Sequence, residues 1–161
     1  MGESSRADIS KQKQNKQKKS TRGGREKHNC NGKTNIRIGF WNVHGLKNKD
    51  KDFWKYIETY EVIGMTETWT LEEEWEKIEQ NLPKNYRWYH TPAVKIHRRG
   101  RAMGGIITGI RNNLREGKVA KREHQDIQER RVILENKIWR IYAVYVRENA
   151  EDIKQELQVR I

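Results

Sequence analysis

The chain has 161 residues and carries 34 Lys and Arg against 22 Asp and Glu, a formal net charge of +12. Only 34% of the residues are apolar, and residues 1–35 contribute Met1, Ala7, Ile9 and Cys30 alone. A single cysteine excludes an internal disulfide and a cysteine-based zinc site, and no apolar run reaches the length of a membrane span.

Residues 1–35 hold ten Lys and Arg against three acids, with no hydrophobic period. Such a segment buries too little surface to offset its ordering entropy, so it is read as a disordered basic tail. Its run from Lys11 to Lys19 suits a nuclear address or a phosphate-binding arm, and equally a solubilising tail. Met1-Gly2 opens like a myristoylation signal, but Arg6 stands where that signal needs Ser or Thr. With no signal peptide pattern, a soluble nuclear or cytoplasmic protein is expected.

Ile36, Ile38 and Phe40 alternate with less apolar neighbours, which predicts a strand ending at Trp41. Asn42 to Gly45 breaks the pattern. Beyond Asp50, the residues Phe53, Trp54, Ile57 and Tyr60 share one helical face. Glu61 to Glu67 then reads as a second buried strand. Strand, helix and strand at this spacing predict a parallel pair joined by a crossover. Parallel strands end on the same sheet edge, so Asn42 and Glu67 should meet at the C-terminal edge, where open α/β sheets gather ligands.

Thr70 and Glu73 have the spacing of a capping box, and Glu72–Glu74 suits the positive end of a helix dipole. Leu71, Trp75, Ile78 and Leu82 supply the stripe of that helix. Tyr86–Tyr89 and Ile106–Ile110 read as strands, separated by a basic loop, Lys95–Arg101, that closes on Gly104-Gly105. Residues 111–130 show no stripe. Arg131–Glu135 and Ile138–Val146 read as a hairpin turning at Asn136 and Lys137, with the apolar second arm as a central strand. A last helix, capped by Asn149, carries Ile153, Leu157 and Ile161.

Four segments stand in order: I-R-I-G-F-W-N-V-H-G-L at Ile36–Leu46, T-E-T-W at Thr66–Trp69, G-R-A-M-G-G-I at Gly100–Ile106 and Y-A-V-Y-V at Tyr142–Val146. Together they resemble the endonuclease/exonuclease/phosphatase superfamily, in particular the apurinic-type endonuclease domain of non-long-terminal-repeat retrotransposons. The resemblance implies an α/β fold, a truncated portion of a deoxyribonuclease-like four-layer αββα sandwich over residues 36–161. It further implies Mg²⁺-dependent phosphodiester cleavage of DNA. Asn42 matches the residue that orients the phosphate and its attacking group. Glu67 matches the metal ligand, and Tyr145 matches an aromatic residue whose hydroxyl points at the phosphate. Lys47, Arg98, Arg99 and Arg101 are candidate DNA contacts, since a basic loop at a site edge steers a polyanion.

On pattern alone each residue has an ordinary alternative. Asn42 can begin a turn, Glu67 can be a solvated strand-end carboxylate, Tyr145 can be core, and the arginines can be a solvated charge run. His44 departs from the family, which commonly has an acidic residue there. The family's later Asp-x-Asn segment, further Asp and terminal Asp-His pair have no counterpart before Ile161. The expectation is therefore a catalytically incomplete fragment that lacks the second sheet. A non-catalytic, basic nucleic-acid-binding protein of mobile-element origin is the alternative, and a phosphoinositide or other phosphomonoester substrate is a third reading.

Overall fold

The computed structural model describes residues 35–97, 99–119, 124–146 and 150–160. Apart from Asn35, the expected basic tail lies outside them. β1 (Ile38–Asn42), α1 (Lys51–Ile57) and β2 (Val62–Thr66) form the strand–helix–strand unit that the periodicity predicts. Asp50 caps α1 by accepting the Phe53 N–H at 2.8 Å. β1 and β2 are parallel, with Ile38 opposite Val62 and Asn42 opposite Thr66. β3 (Tyr86–Thr91) and β4 (Ile106–Arg111) complete a sheet of order β1-β2-β4-β3, in which β4 is antiparallel to both neighbours.

Side-chain alternation gives this sheet two buried faces. On one, Ile63, Met65, Ile107 and Tyr86 pack with Ile57 of α1, and with Trp75 and Ile78 of α2 (Trp75–Glu79). On the other, Val62 and Ile110 meet Val132 and Ile141 of a second sheet. That sheet comprises β5 (Arg115–Glu116), β6 (Ile127–Leu134) and β7 (Lys137–Val144), all antiparallel, in the order β5-β6-β7. Each of these aliphatic side chains contributes about 1.5–3 kcal/mol on full burial. α3 (Ala150–Arg160) lies against β7, where the Arg140 guanidinium and the Tyr142 hydroxyl donate to the Arg160 carbonyl at 2.7 and 3.3 Å.

The second sheet corrects the expectation that this layer is missing. Its β6 and β7 are the hairpin that the pattern predicts, extended by Ile127–Arg130, which the pattern missed because the β6 face that meets the first sheet is partly polar. Thr108 of β4, 2% exposed, donates to Gln128 Oε1 at 2.6 Å, and Gln128 donates to Thr91 Oγ1 at 3.0 Å. Arg130 Nε donates to Thr108 Oγ1 at 3.2 Å, and its guanidinium lies 3.6 Å over the Tyr89 ring. Tyr89 in turn donates to both oxygens of Glu116, which also pairs with Arg87. A strand whose inward residues are Gln128 and Arg130 does not look buried in the sequence, yet every one of these groups finds a partner.

Three smaller expectations also change. The hairpin turns at Glu135 and Asn136, one residue early, because both adopt the left-handed conformation (φ 49° and 62°) that twisted two-residue hairpins require. The Thr70–Glu73 capping box does not form. Instead Glu74 accepts from the Leu71 N–H at 3.3 Å across a 3₁₀ turn, Glu72–Glu74, while Thr70 is buried and donates to the Thr68 carbonyl. The helix that follows is short, and Leu82 is buried beyond its end.

β7 is an edge strand among the described residues, not a central one. It stacks over β2, since a Cβ on Gly64 would lie 3.3 Å from Ala143, while β5 reaches β3 through Glu116 and Tyr89. Among the described residues, β1 and β7 therefore leave the same side of the two sheets open. Phe40 and Trp139 are 53% and 55% exposed there. Asn149 and Ile161, expected as cap and stripe of the last helix, lie outside the described residues.

Replacing Thr108 with Val leaves Gln128 Oε1 and the Arg130 guanidinium short of a buried partner. The substitution is expected to cost about 1–3 kcal/mol, read as a lower urea midpoint with an unchanged m-value.

Candidate active site

The C-terminal ends of β1 and β2 do not separate where the strands stop. Val43 donates to the Thr66 carbonyl at 2.9 Å, Gly45 to Glu67 at 2.7 Å, and Leu46 to Thr68 at 3.2 Å. On the far side, Thr68 and Trp69 donate to the carbonyls of Gly105 and Gly104 at 3.3 and 3.1 Å. This zipped ledge holds an unusual concentration of left-handed backbone. His44, Glu67 and Trp69 have φ of 47°, 53° and 54°, beside Gly45, Gly104 and Gly105 at 89°, 71° and 84°. Non-glycine residues in that region cost of order 1–2 kcal/mol each, and such strain concentrates at functional sites.

Glu67 is the centre of the ledge. Its Oε1 accepts the Tyr145 hydroxyl at 2.8 Å, and its Oε2 accepts the Trp69 indole N–H at 3.3 Å. These donors hold the carboxyl below the usual glutamate range, the Tyr145 hydrogen bond most strongly. Partial burial opposes it, and Trp69, Asn42 and the nearby His44 add to it. Asn42 is tied down in turn, its Oδ1 accepting the His44 N–H at 3.2 Å. The result is an ionised, oriented carboxylate beside an amide that can both donate and accept.

Tyr145 reaches this point because it follows β7 rather than lying inside it, with its N–H bonded to the Asp126 carbonyl at 2.9 Å. The second sheet thus delivers a hydroxyl to the edge of the first. An open cavity of about 540 Å³ lies over the group, lined by His44, Glu67, Trp69, Met103 and Tyr145 among others. Its far wall is the basic loop, pinned at its base by the Val94–Met103 bridge. Arg101 from this loop lays its guanidinium 3.2 Å over the Trp69 ring.

The candidates from sequence therefore divide. Asn42, Glu67, Tyr145 and Arg101 converge. Lys47 does not join them. Its ammonium pairs with Glu74 at 2.5 Å, which pins the loop after β1 to the turn before α2. Arg99 is exposed, and Arg98 lies outside the described residues. Trp69 was missed, although it stands in the T-E-T-W segment. Its signal is a tryptophan two residues past a strand end, where a core role is hard to satisfy.

The donor set fits a hard divalent cation such as Mg²⁺, which is held by one or two carboxylates and completes its shell with water and substrate phosphate. Glu67 is the one carboxylate in place, and no group of three or more His, Cys, Asp or Glu is gathered among the described residues. No helix among them is long and apolar enough to cross a membrane.

No protein-family profile matches the chain, and no curated protein does. Among solved structures, it is similar to an AP endonuclease from Leishmania major, at 16% identity and a TM-score of 0.52. The likeness covers 76% of this chain and 43% of that one, so the chain spans less than half the length of the matched structure. At that identity the likeness speaks for the fold. The mixed α/β architecture, with two sheets and three helices, is similar to that of an AP endonuclease.

Two outcomes follow from this geometry. Removing the hydroxyl in Tyr145→Phe is expected to raise the titration midpoint of Glu67 towards the ordinary glutamate value, measurable by carboxyl-detected NMR. Because the folded pKa is depressed, this carboxylate stabilises the fold fully above its unfolded pKa. That contribution is lost as pH falls through the lower, folded value, and the variant narrows that acidic window. Gly45→Ala puts a Cβ 2.5 Å from the Trp69 ring at a left-handed φ, so it is expected to destabilise by about 1–3 kcal/mol in urea unfolding and to displace the indole from Glu67.

Proposed function

We propose that residues 36–161 form part of a Mg²⁺-dependent phosphodiesterase domain acting on DNA, in which Asn42, Glu67 and Tyr145 supply an incomplete catalytic set. The observation that carries this reading is the convergence of Asn42, Glu67 and Tyr145. Three separate strand ends bring an amide, an ionised carboxylate and a phenol together: Glu67 and Tyr145 line one cavity, and the Asn42 amide bonds to Glu67 beside it. The order of the four sequence segments, in the manner of mobile-element endonuclease domains, supports a nucleic-acid substrate, as does the net charge of +12.

In this reading Glu67 holds the metal through the carboxylate that Tyr145 and Trp69 orient. A Mg²⁺ ion held there would supply Lewis-acid polarisation of a phosphoryl oxygen and stabilisation of charge on the leaving oxygen. Asn42 orients the phosphate, its oxygen having accepted from His44, through the amide N–H that is not turned to Glu67. The Tyr145 hydroxyl holds its proton towards Glu67 until a phosphate oxygen competes for it. Arg101 and Arg99 draw the polyanion to the cavity mouth.

Removing a proton from the attacking water calls for a base, and His44 stands where the resembled family has an acidic residue. We assign that task to none of Asn42, Glu67 and Tyr145. In a four-layer αββα sandwich, further strands would pair the edges of β1 and β7, which have no strand partner among the described residues, and would cover Phe40 and Trp139.

A supercoiled-plasmid nicking assay in Mg²⁺, with Glu67→Ala as control, tests this. The expected result is DNA binding and Glu67-dependent Mg²⁺ binding with little or no nicking. Robust nicking abolished by Glu67→Ala would overturn the incompleteness. DNA binding with no Glu67-dependent metal binding would favour the non-catalytic binding protein instead.

A further inference from the structure

Trp69 has no role in the reading above beyond one hydrogen bond, yet it makes three directed contacts in the cavity. Its indole N–H donates to Glu67 Oε2 at 3.3 Å, one ring face carries the Arg101 guanidinium at 3.2 Å, and the His44 ring meets it edge-on with centroids 5.9 Å apart. Its own backbone is held left-handed at φ 54°, with its N–H bonded to the Gly104 carbonyl. A glycine at position 45 leaves the space the ring occupies, since a Cβ there would lie 2.5 Å from it. Several features thus converge on keeping this indole in one place.

Stacking uses the face of a guanidinium and leaves its five N–H donors in the plane. Among the described residues, Arg101 makes no hydrogen bond or ion pair, and it is exposed at the rim of the cavity that Glu67 floors. A cation held close over an aromatic ring, with its donors unspent, is pre-organised for a tetrahedral oxyanion. The fork geometry of arginine matches two oxygens of one phosphate.

We propose that Trp69 is a two-sided positioning residue. Its ring face presets Arg101 as an anchor for a backbone phosphate next to the scissile one, and its N–H separately orients the metal-binding carboxylate of Glu67. This rests on the phosphodiesterase reading and adds to it how the substrate is registered: by a neighbouring phosphodiester, without reading a base. The two jobs belong to different parts of one side chain, so they can be separated.

The experiment uses the full chain with two probes, Mn²⁺ alone followed by the EPR signal of the free ion, and a fluorescent DNA duplex in EDTA followed by anisotropy across a salt series. Trp69→Phe keeps the ring and loses the N–H. It is expected to weaken Mn²⁺ binding about tenfold, as for groups that orient a metal ligand, while DNA affinity stays within about twofold. Arg101→Ala is expected to spare Mn²⁺ binding and weaken DNA binding, with the slope of log K against log salt falling by about 0.9, the signature of one lost phosphate contact. Trp69→Ala should impair both, and combined with Arg101→Ala it should weaken DNA binding less than the product of the two single effects.

Equal losses on both probes from Trp69→Phe and Trp69→Ala, or an unchanged salt slope in Arg101→Ala, would overturn the proposal and leave the functional reading standing. A wild-type chain that binds Mn²⁺ no better than Glu67→Ala overturns both. Circular dichroism melts of each variant separate these outcomes from loss of fold.

Discussion

The parallel pairing of β1 with β2 is the constraint on which the rest of the structure depends. A parallel pair needs a crossover, and α1 supplies it, burying Ile57 with its Phe53 and Trp54 packed alongside against one face of the sheet. Because both strands run the same way, their C-terminal ends emerge together. The register then sets Asn42 opposite Thr66, one residue short of Glu67. Had the strands been antiparallel, the amide and the carboxylate would stand at opposite ends of the sheet, about 15 Å apart for strands of this length.

What turns that juxtaposition into a site is the way the ledge beyond the strands is held. Backbone hydrogen bonds continue from β1 to β2 and on to Gly104 and Gly105, so residues that would otherwise relax remain left-handed. The strain is offset by those bonds and by the packing of the Trp69 ring against Gly45. Glu67 is then fixed by donors from two directions, one on its own loop and one 78 residues away in sequence. A carboxylate oriented from both sides is stiff and ionised, which is the state in which it can serve a hard cation.

The two sheets are joined by a core of mixed character. Val62, Ile110, Val132 and Ile141 supply apolar burial, and Thr108, Gln128, Arg130, Tyr89 and Glu116 supply a bonded polar layer beside it. Apolar contacts tolerate sliding, whereas this chain of donors and acceptors is satisfied in a single register. Register matters here because Tyr145, one residue past β7, has to arrive at Glu67 with its hydroxyl in reach. The polar layer and the site are therefore linked through the placement of β7, although no residue is common to both.

The alternation of Ile36, Ile38 and Phe40, the helical face of Phe53, Trp54 and Ile57, and the apolar run to Thr66 determined the first strand–helix–strand unit. With it came the meeting of Asn42 and Glu67, because local periodicity and the crossover rule suffice for that much. The first half of strand β6, Ile127–Arg130, was illegible, since its inward Gln128 and Arg130 are buried only by virtue of partners on β3 and β4 that no local pattern records. The edge position of β7 was equally hidden, because an apolar strand reads the same whether its second neighbour is present or absent. The stack of Arg101 on Trp69 and the bond from Tyr145 to Glu67 join residues 32 and 78 positions apart. Such contacts are decided by how whole layers pack, and only the tertiary structure could bring them together.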